Sequence, residues 1–126
     1  MECLDGLAQL VHTGEGAFVV ASQVLRRGSE DAALRLCVTD GFVAWYEIEH
    51  QKSTWANLWR EAGDASEEAF ARRVLRGFEE GMLDPFQASD KRSFLIRVDS
   101  LSTVSKVIEF TLRKVRHTSA HIQFLT

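Results

Sequence analysis

Residues 34–49 read LRLCVTDGFVAWYEIE, and no other stretch limits the possible folds so strongly. Leu34, Leu36 and Val38 alternate with Arg35, Cys37 and Thr39. A period of two puts one set on each side of a half-buried strand, here Ala33 to Thr39. Asp40-Gly41 follows, and both residues tolerate the positive φ of a type I′ turn. Phe42 to Ile48, rich in β-branched and aromatic residues, returns as the partner strand. Such a hairpin has one apolar face, and other parts of the chain must cover it.

Elements with other periods lie on both sides. Leu7 to His12 is a short apolar run, strand or helical turn. Ala17 to Leu25 reads as a strand that ends at RRGSED, where Gly28 supplies a turn. After Gln51 the period lengthens. Ser53 can cap a helix carrying Trp55, Leu58, Trp59 and Ala62, and Gly63 stops it. Asp64 and Glu67 have the spacing of a capping box for a second helix. Its apolar face is Phe70, Val74, Leu75, Phe78 and Met82, and Gly81, Asp84 and Pro85 end it. Phe94 to Val98 is a further strand. Ser100 or Ser102 can cap a last helix with Val104, Val107, Ile108, Leu112 and Val115. The expected fold is α+β: a small antiparallel sheet or sandwich, a helix pair, and a C-terminal helix leading towards a coiled coil. The 126 residues suit one domain, with 1–116 as its body and 117–126 as a C-terminal extension.

Composition narrows the partners. The net charge of −3 makes the chain as a whole a poor match for nucleic acid, although a local basic patch stays open. Cys3 and Cys37 stand in unlike contexts, which fits free thiols in a reducing compartment. Glu2 and Asp5 sit where a secretory signal would carry positive charge. No apolar run approaches the ~20 residues that cross a bilayer. A soluble, intracellular protein without a membrane partner is expected.

Tests for chemistry find little. His117 and His121 share a helical face, but two ligands fall short of a metal site. Nothing beside Cys37 in sequence lowers its pKa, so a buried inert thiol is expected. His50 has no evident acidic orienter. Glu47 and Glu49 share a strand face, which more often means a solvated surface than a catalytic pair. Phosphate loops and nucleophile elbows are absent from the sequence. No enzyme activity and no cofactor are expected.

Two patterns point towards association. Leu101, Val104, Ile108, Thr111, Val115, Thr118, Ile122 and Leu125 recur at steps of three and four, a heptad-like seam. Leu101, Val104, Ile108, Leu112 and Val115 are the candidate dimer contacts on that helix. Lys106, Arg113, Lys114 and Arg116 form a basic cluster, either complementing the helix dipole or touching DNA phosphates.

With these elements in order, the chain resembles the N-terminal head domains of the scaffold proteins of non-homologous DNA end joining. These are the ligase IV scaffold (X-ray repair cross-complementing protein four) and its paralogues XLF and PAXX. Their heads carry Thr-Asp or Ser-Asp at a strand end and a tryptophan five residues after the aspartate. Here those are Thr39, Asp40 and Trp45, and the ligase IV scaffold's Thr-Asp-Gly and Ala-Trp are matched by Thr39-Asp40-Gly41 and Ala44-Trp45. The resemblance implies a nuclear, non-catalytic scaffold of double-strand break repair, a homodimer, with Ku or paralogous scaffolds as partners. It departs from the family between Asp84 and Asp99, where there is room for about one strand, as in a truncated or divergent head. The same superfamily includes centriolar and ciliary assembly heads, which the resemblance offers as the alternative. A small ligand-binding α+β domain is the third reading.

Overall fold

The computed structural model describes residues 1–14, 16–41, 45–87, 92–98 and 108–115. A 3₁₀ turn at Glu2–Leu4 leads into strands β1 (Leu7–Thr13), β2 (Gly16–Leu25), β3 (Ala33–Thr39) and β4 (Trp45–Gln51). Helices α1 (Lys52–Glu61) and α2 (Glu67–Glu79) follow, then β5 (Leu83–Gln87), β6 (Ser93–Val98) and β7 (Ile108–Lys114). The sheet order is β1-β2-β3-β4-β7-β6-β5, with every neighbouring pair antiparallel. Among the described residues, the ladder pairs Tyr46↔Lys114 and Glu47↔Arg113, with the Val115 amide on the Trp45 carbonyl, join the four-stranded meander to the β7-β6-β5 layer. At this narrow joint the sheet folds over on itself, and β1 comes near β5. The result is a nearly closed, sandwich-like antiparallel sheet with two helices.

The inner face holds the core. Phe18, Val20, Leu36, Val38, Phe94 and Phe110 belong to one cluster of buried side chains that also takes in both helices. Trp55 of α1 meets Phe70 of α2 edge-on at 4.8 Å and stacks on Phe110 of β7 at 6.4 Å. Helix α2 lies against β1 and β6. Close approach explains the glycine inside this helix. A Cβ on Gly77 would meet Val98 Cγ1 at 2.9 Å and Leu83 Cδ2 at 3.0 Å, which outweighs the ~1 kcal/mol helix penalty of glycine.

The α+β layout is the expected one, and several local details differ. Thr39 pairs with Trp45, whereas a two-residue turn at Asp40-Gly41 would set it opposite residue 42. Gly41 has φ +87°, but Asp40 does not share a positive φ, so the connection is not type I′. Helix α1 starts at Lys52 and has no side-chain cap, contrary to the role expected of Ser53. Helix α2 is capped by Ser66, which accepts from the Ala69 amide at 3.1 Å. Asp64, the expected cap, instead pairs with Arg73 at 2.6 Å. Two paired strands, β5 and β6, stand where the sequence leaves room for about one. Pro85 lies on β5 at the sheet edge, where its missing N–H is tolerated.

The largest correction concerns the C-terminal helix. Residues 108–114 are a strand, with Ile108, Phe110 and Leu112 buried and Glu109, Thr111 and Arg113 exposed. Ile108 and Leu112 are four apart, which fits a helix face and a strand face equally well. Phe110 between them fits only the strand.

Candidate functional site

The Thr39–Trp45 motif lies where the two layers of the sheet meet. Tyr46 points inward onto Phe94, with ring centres 5.2 Å apart, so the strand period turns its neighbour Trp45 outward. Trp45 is only 1% exposed, buried with Ala21 and Cys37, and Val115 packs on this small outer cluster. Trp45 therefore seals the side of the sheet away from the main core. Its indole N–H donates to Glu47 Oε2 at 2.9 Å. Its carbonyl accepts from the Val115 amide at 2.8 Å, tying down the end of β7. Thr39 Oγ1 accepts from the Gly41 amide at 3.0 Å and braces the start of the connection. The motif residues Thr39, Asp40, Gly41 and Trp45 are thus gathered at one corner, and the described contacts there hold that corner together.

The groups weighed for catalysis are engaged in structure. Burial pushes the Cys37 thiol up to about 12, with the charge of Glu47 adding to the effect, so no thiolate forms near neutrality. Glu49 pairs with Arg26 at 2.6 Å. His50 faces the core, 5.9 Å from the Phe110 ring, and burial holds its imidazole below the usual range. Among the described residues no group of three metal-ligating side chains converges. No helix among them is long and apolar enough to cross a membrane. His117 and His121 lie outside the described residues.

The association residues are dispersed. Ile108 and Leu112 are 3% and 0% exposed in the core, so a seam offered to a second chain does not run through them. Val115 is on the opposite side, against Trp45. Leu101 and Val104 lie outside the described residues, as do Lys106 and Arg116 of the basic cluster. Arg113 and Lys114 end β7 in exposed positions. They meet Arg92 and Ser93, which the sequence reading missed, around a depression of about 420 Å³. The backbone brings them together: Ser93 pairs with Arg113, and the Lys114 amide donates to the Arg92 carbonyl at 3.0 Å. Glu47 stands opposite Arg113 in the β4–β7 pairing, so the spot is of mixed charge.

A second concavity, about 440 Å³, opens between α1, the β2–β3 turn and the 3₁₀ turn. Val24, Ala32, Trp55 and Trp59 line it, with Lys52 and Glu67 beside them. Glu67 Oε1 accepts from the Trp55 indole at 2.7 Å and from the Met1 ammonium at 2.6 Å. Burial pushes the Glu67 carboxyl up. The two hydrogen bonds and the ammonium charge outweigh that and hold it below the usual carboxylate range. Trp55 and Trp59 were legible as an apolar helix stripe, but a concavity needs the turn packed opposite.

No protein-family model matches the sequence, and a search of curated proteins finds no relative. Solved structures do match. The N-terminal coiled-coil dimer of C. elegans SAS-6 superposes with a TM-score of 0.63 at 13% identity, covering 96% of this chain and 86% of that one. A stabilised ceSAS-6 dimer gives 0.60 at 13% identity, covering 88% and 94%. The fold is therefore that of the SAS-6 N-terminal head. The finding overturns the expected setting in nuclear DNA repair. These two structures are dimers of a centriole assembly protein, and they lend no support to Ku or DNA as partners.

Proposed function

We propose that the chain is a non-catalytic, self-associating head domain of an assembly scaffold, of the centriolar kind, acting as a homodimer. The observation that carries this reading is the extent of the likeness to the SAS-6 dimers, in which each chain is covered over 86% or more of its length. A whole domain is shared, rather than one motif. The chemistry agrees, because Glu47, Glu49 and Cys37 serve the sheet and leave surface complementarity as the means of action. Fold alone does not transmit function, so the reading is tested by two measurements. Sedimentation of the purified chain should show a monomer–dimer equilibrium, and a chain that stays monomeric at hundreds of micromolar overturns the homodimer. A fluorescently tagged chain should gather at centrioles, and a diffuse distribution overturns the centriolar role.

A further inference from the structure

Where charged residues meet across the described strand pairs, their signs are matched. Arg35 stands opposite Glu49 on β3 and β4, and Glu47 opposite Arg113 on β4 and β7. Arg97 stands opposite Glu109 on β6 and β7, where an ion pair closes at 3.3 Å. The outer end of the β6–β7 ladder breaks this rule. Ser93 stands opposite Arg113. One step further out, the Lys114 amide donates to the Arg92 carbonyl at 3.0 Å, which sets two cations across from each other. Like charges so placed cost stability.

These charges surround a hollow. Arg92, Ser93, Arg113 and Lys114 line the depression of about 420 Å³. Among the described residues its lining holds three cations, one hydroxyl and no carboxylate. Arg113 and Lys114 enter no ion pair among those residues, while Arg92 has a contact of its own. Glu47 faces Arg113 from β4 but lies outside the lining, and its carboxylate accepts from the Trp45 indole at 2.9 Å. Three cations against one carboxylate leave a positive corner on a chain whose net charge is −3. A cleft lined by one sign of charge concentrates its counter-ion.

We propose that this corner binds a phosphate monoester carried on a serine or threonine of a partner protein. Two guanidinium forks and an ammonium are pure donors, and the Ser93 hydroxyl adds a fourth group around one tetrahedral anion. A carboxylate suits the corner less, because an exposed ion pair of single charges gains little. A phosphate brings nearly two charges and three acceptor oxygens to the same donors. A nucleic acid also suits it less. Its phosphates come in rows, and the strands beside the hollow present Glu47 and Glu109. The site does not depend on the homodimer.

The test titrates inorganic phosphate into the full chain and follows the backbone amides by NMR. Shifts should begin at residues 92–93 and 113–114. By fluorescence anisotropy, a labelled glycine–serine peptide with one phosphoserine should bind roughly tenfold tighter than its unphosphorylated form. Lys114→Gln and Arg113→Gln should each weaken the phosphopeptide several-fold. The first, relieved of like charge opposite Arg92, should melt no lower than the parent. Shifts spread over every surface cation, or variants that bind as the parent does, mark an adventitious ion only and overturn the site. A labelled single-stranded oligonucleotide that binds tighter than the phosphopeptide overturns the phosphoprotein partner.

Discussion

Trp55 and Trp45 are both sealed from water, at 2% and 1% exposure, and each gives its indole N–H to a glutamate, Glu67 at 2.7 Å and Glu47 at 2.9 Å. Their surroundings differ. Trp55 lies inside the sandwich, where it joins α1 to α2 and to β7 through Phe70 and Phe110. Trp45 lies outside, over a patch made of Ala21, Cys37 and Val115. The same solution to burying an indole serves two ends: one binds the helices to the sheet, and the other closes the corner where β7 meets β4. The inside should therefore govern whether the domain folds at all. The outside should set how firmly that corner is held.

The sharpest way to break this contrast is a charge on each side. Ile108→Glu buries an unpaired carboxylate in the core. A cost of ~3–5 kcal/mol or more is a large share of a ~5–15 kcal/mol stability. It should leave the chain unfolded by circular dichroism. Val115→Glu, on the half-buried outer side, should fold. If Ile108→Glu folds normally, residue 108 is not in the core and the strand assignment of β7 fails with it.

Next come the tryptophans themselves. Trp55→Ala should cost about 5 kcal/mol, and Trp45→Ala about 3 kcal/mol, the two ends of the range for truncating a buried aromatic. Urea unfolding measures both. Equal costs would erase the distinction between the two clusters.

Acid separates the two glutamates. Glu67 has its folded pKa below the unfolded value near 4.5. The unfolded state thus takes up this proton first as pH falls. The stabilisation is present above the unfolded carboxylate range and is lost as pH drops through it towards the folded value. Melting temperatures from neutral pH down to pH ~3 should fall less steeply for Glu67→Gln than for the parent. Parallel curves would mean that the carboxylate on Trp55 is energetically idle. The smallest effect belongs to Glu47→Gln. A neutral amide oxygen still accepts from the Trp45 indole, so the loss should stay below about 1 kcal/mol. A larger loss would show that the outer corner depends on charge.

Much of this architecture is readable in the chain. The alternation of 33–39 marks β3 to the residue, and the stripe from Phe70 marks α2, although it runs on to Met82, three residues past the helix end at Glu79. In both cases one period dominates and a local signal bounds it. The misreadings fall where two periods coincide. Ile108 and Leu112 satisfy both a helix and a strand, and the choice turns on Phe110 finding Trp55, a residue 55 positions earlier. The β5 strand was hidden for a related reason. LDPFQ has a proline and little alternation, and it becomes a strand only because β6 pairs with it.

The sequence by itself determined the periods, and with them which residues could share a face: the β3 alternation, the two helix stripes, and Trp45 beside Tyr46 on opposite sides of one strand. Periodicity is local, set by backbone geometry over a few residues. Tertiary structure decided which face was inside. Trp45 and Tyr46 are equally apolar in appearance, and only the position of Phe94 across the sandwich makes Tyr46 the inward one. The same holds for the basic corner of β6–β7. Its charges are written in the sequence. That Arg92 and Ser93 lie beside Arg113 and Lys114 follows from strand pairing, and the register of that pairing depends on contacts between distant residues.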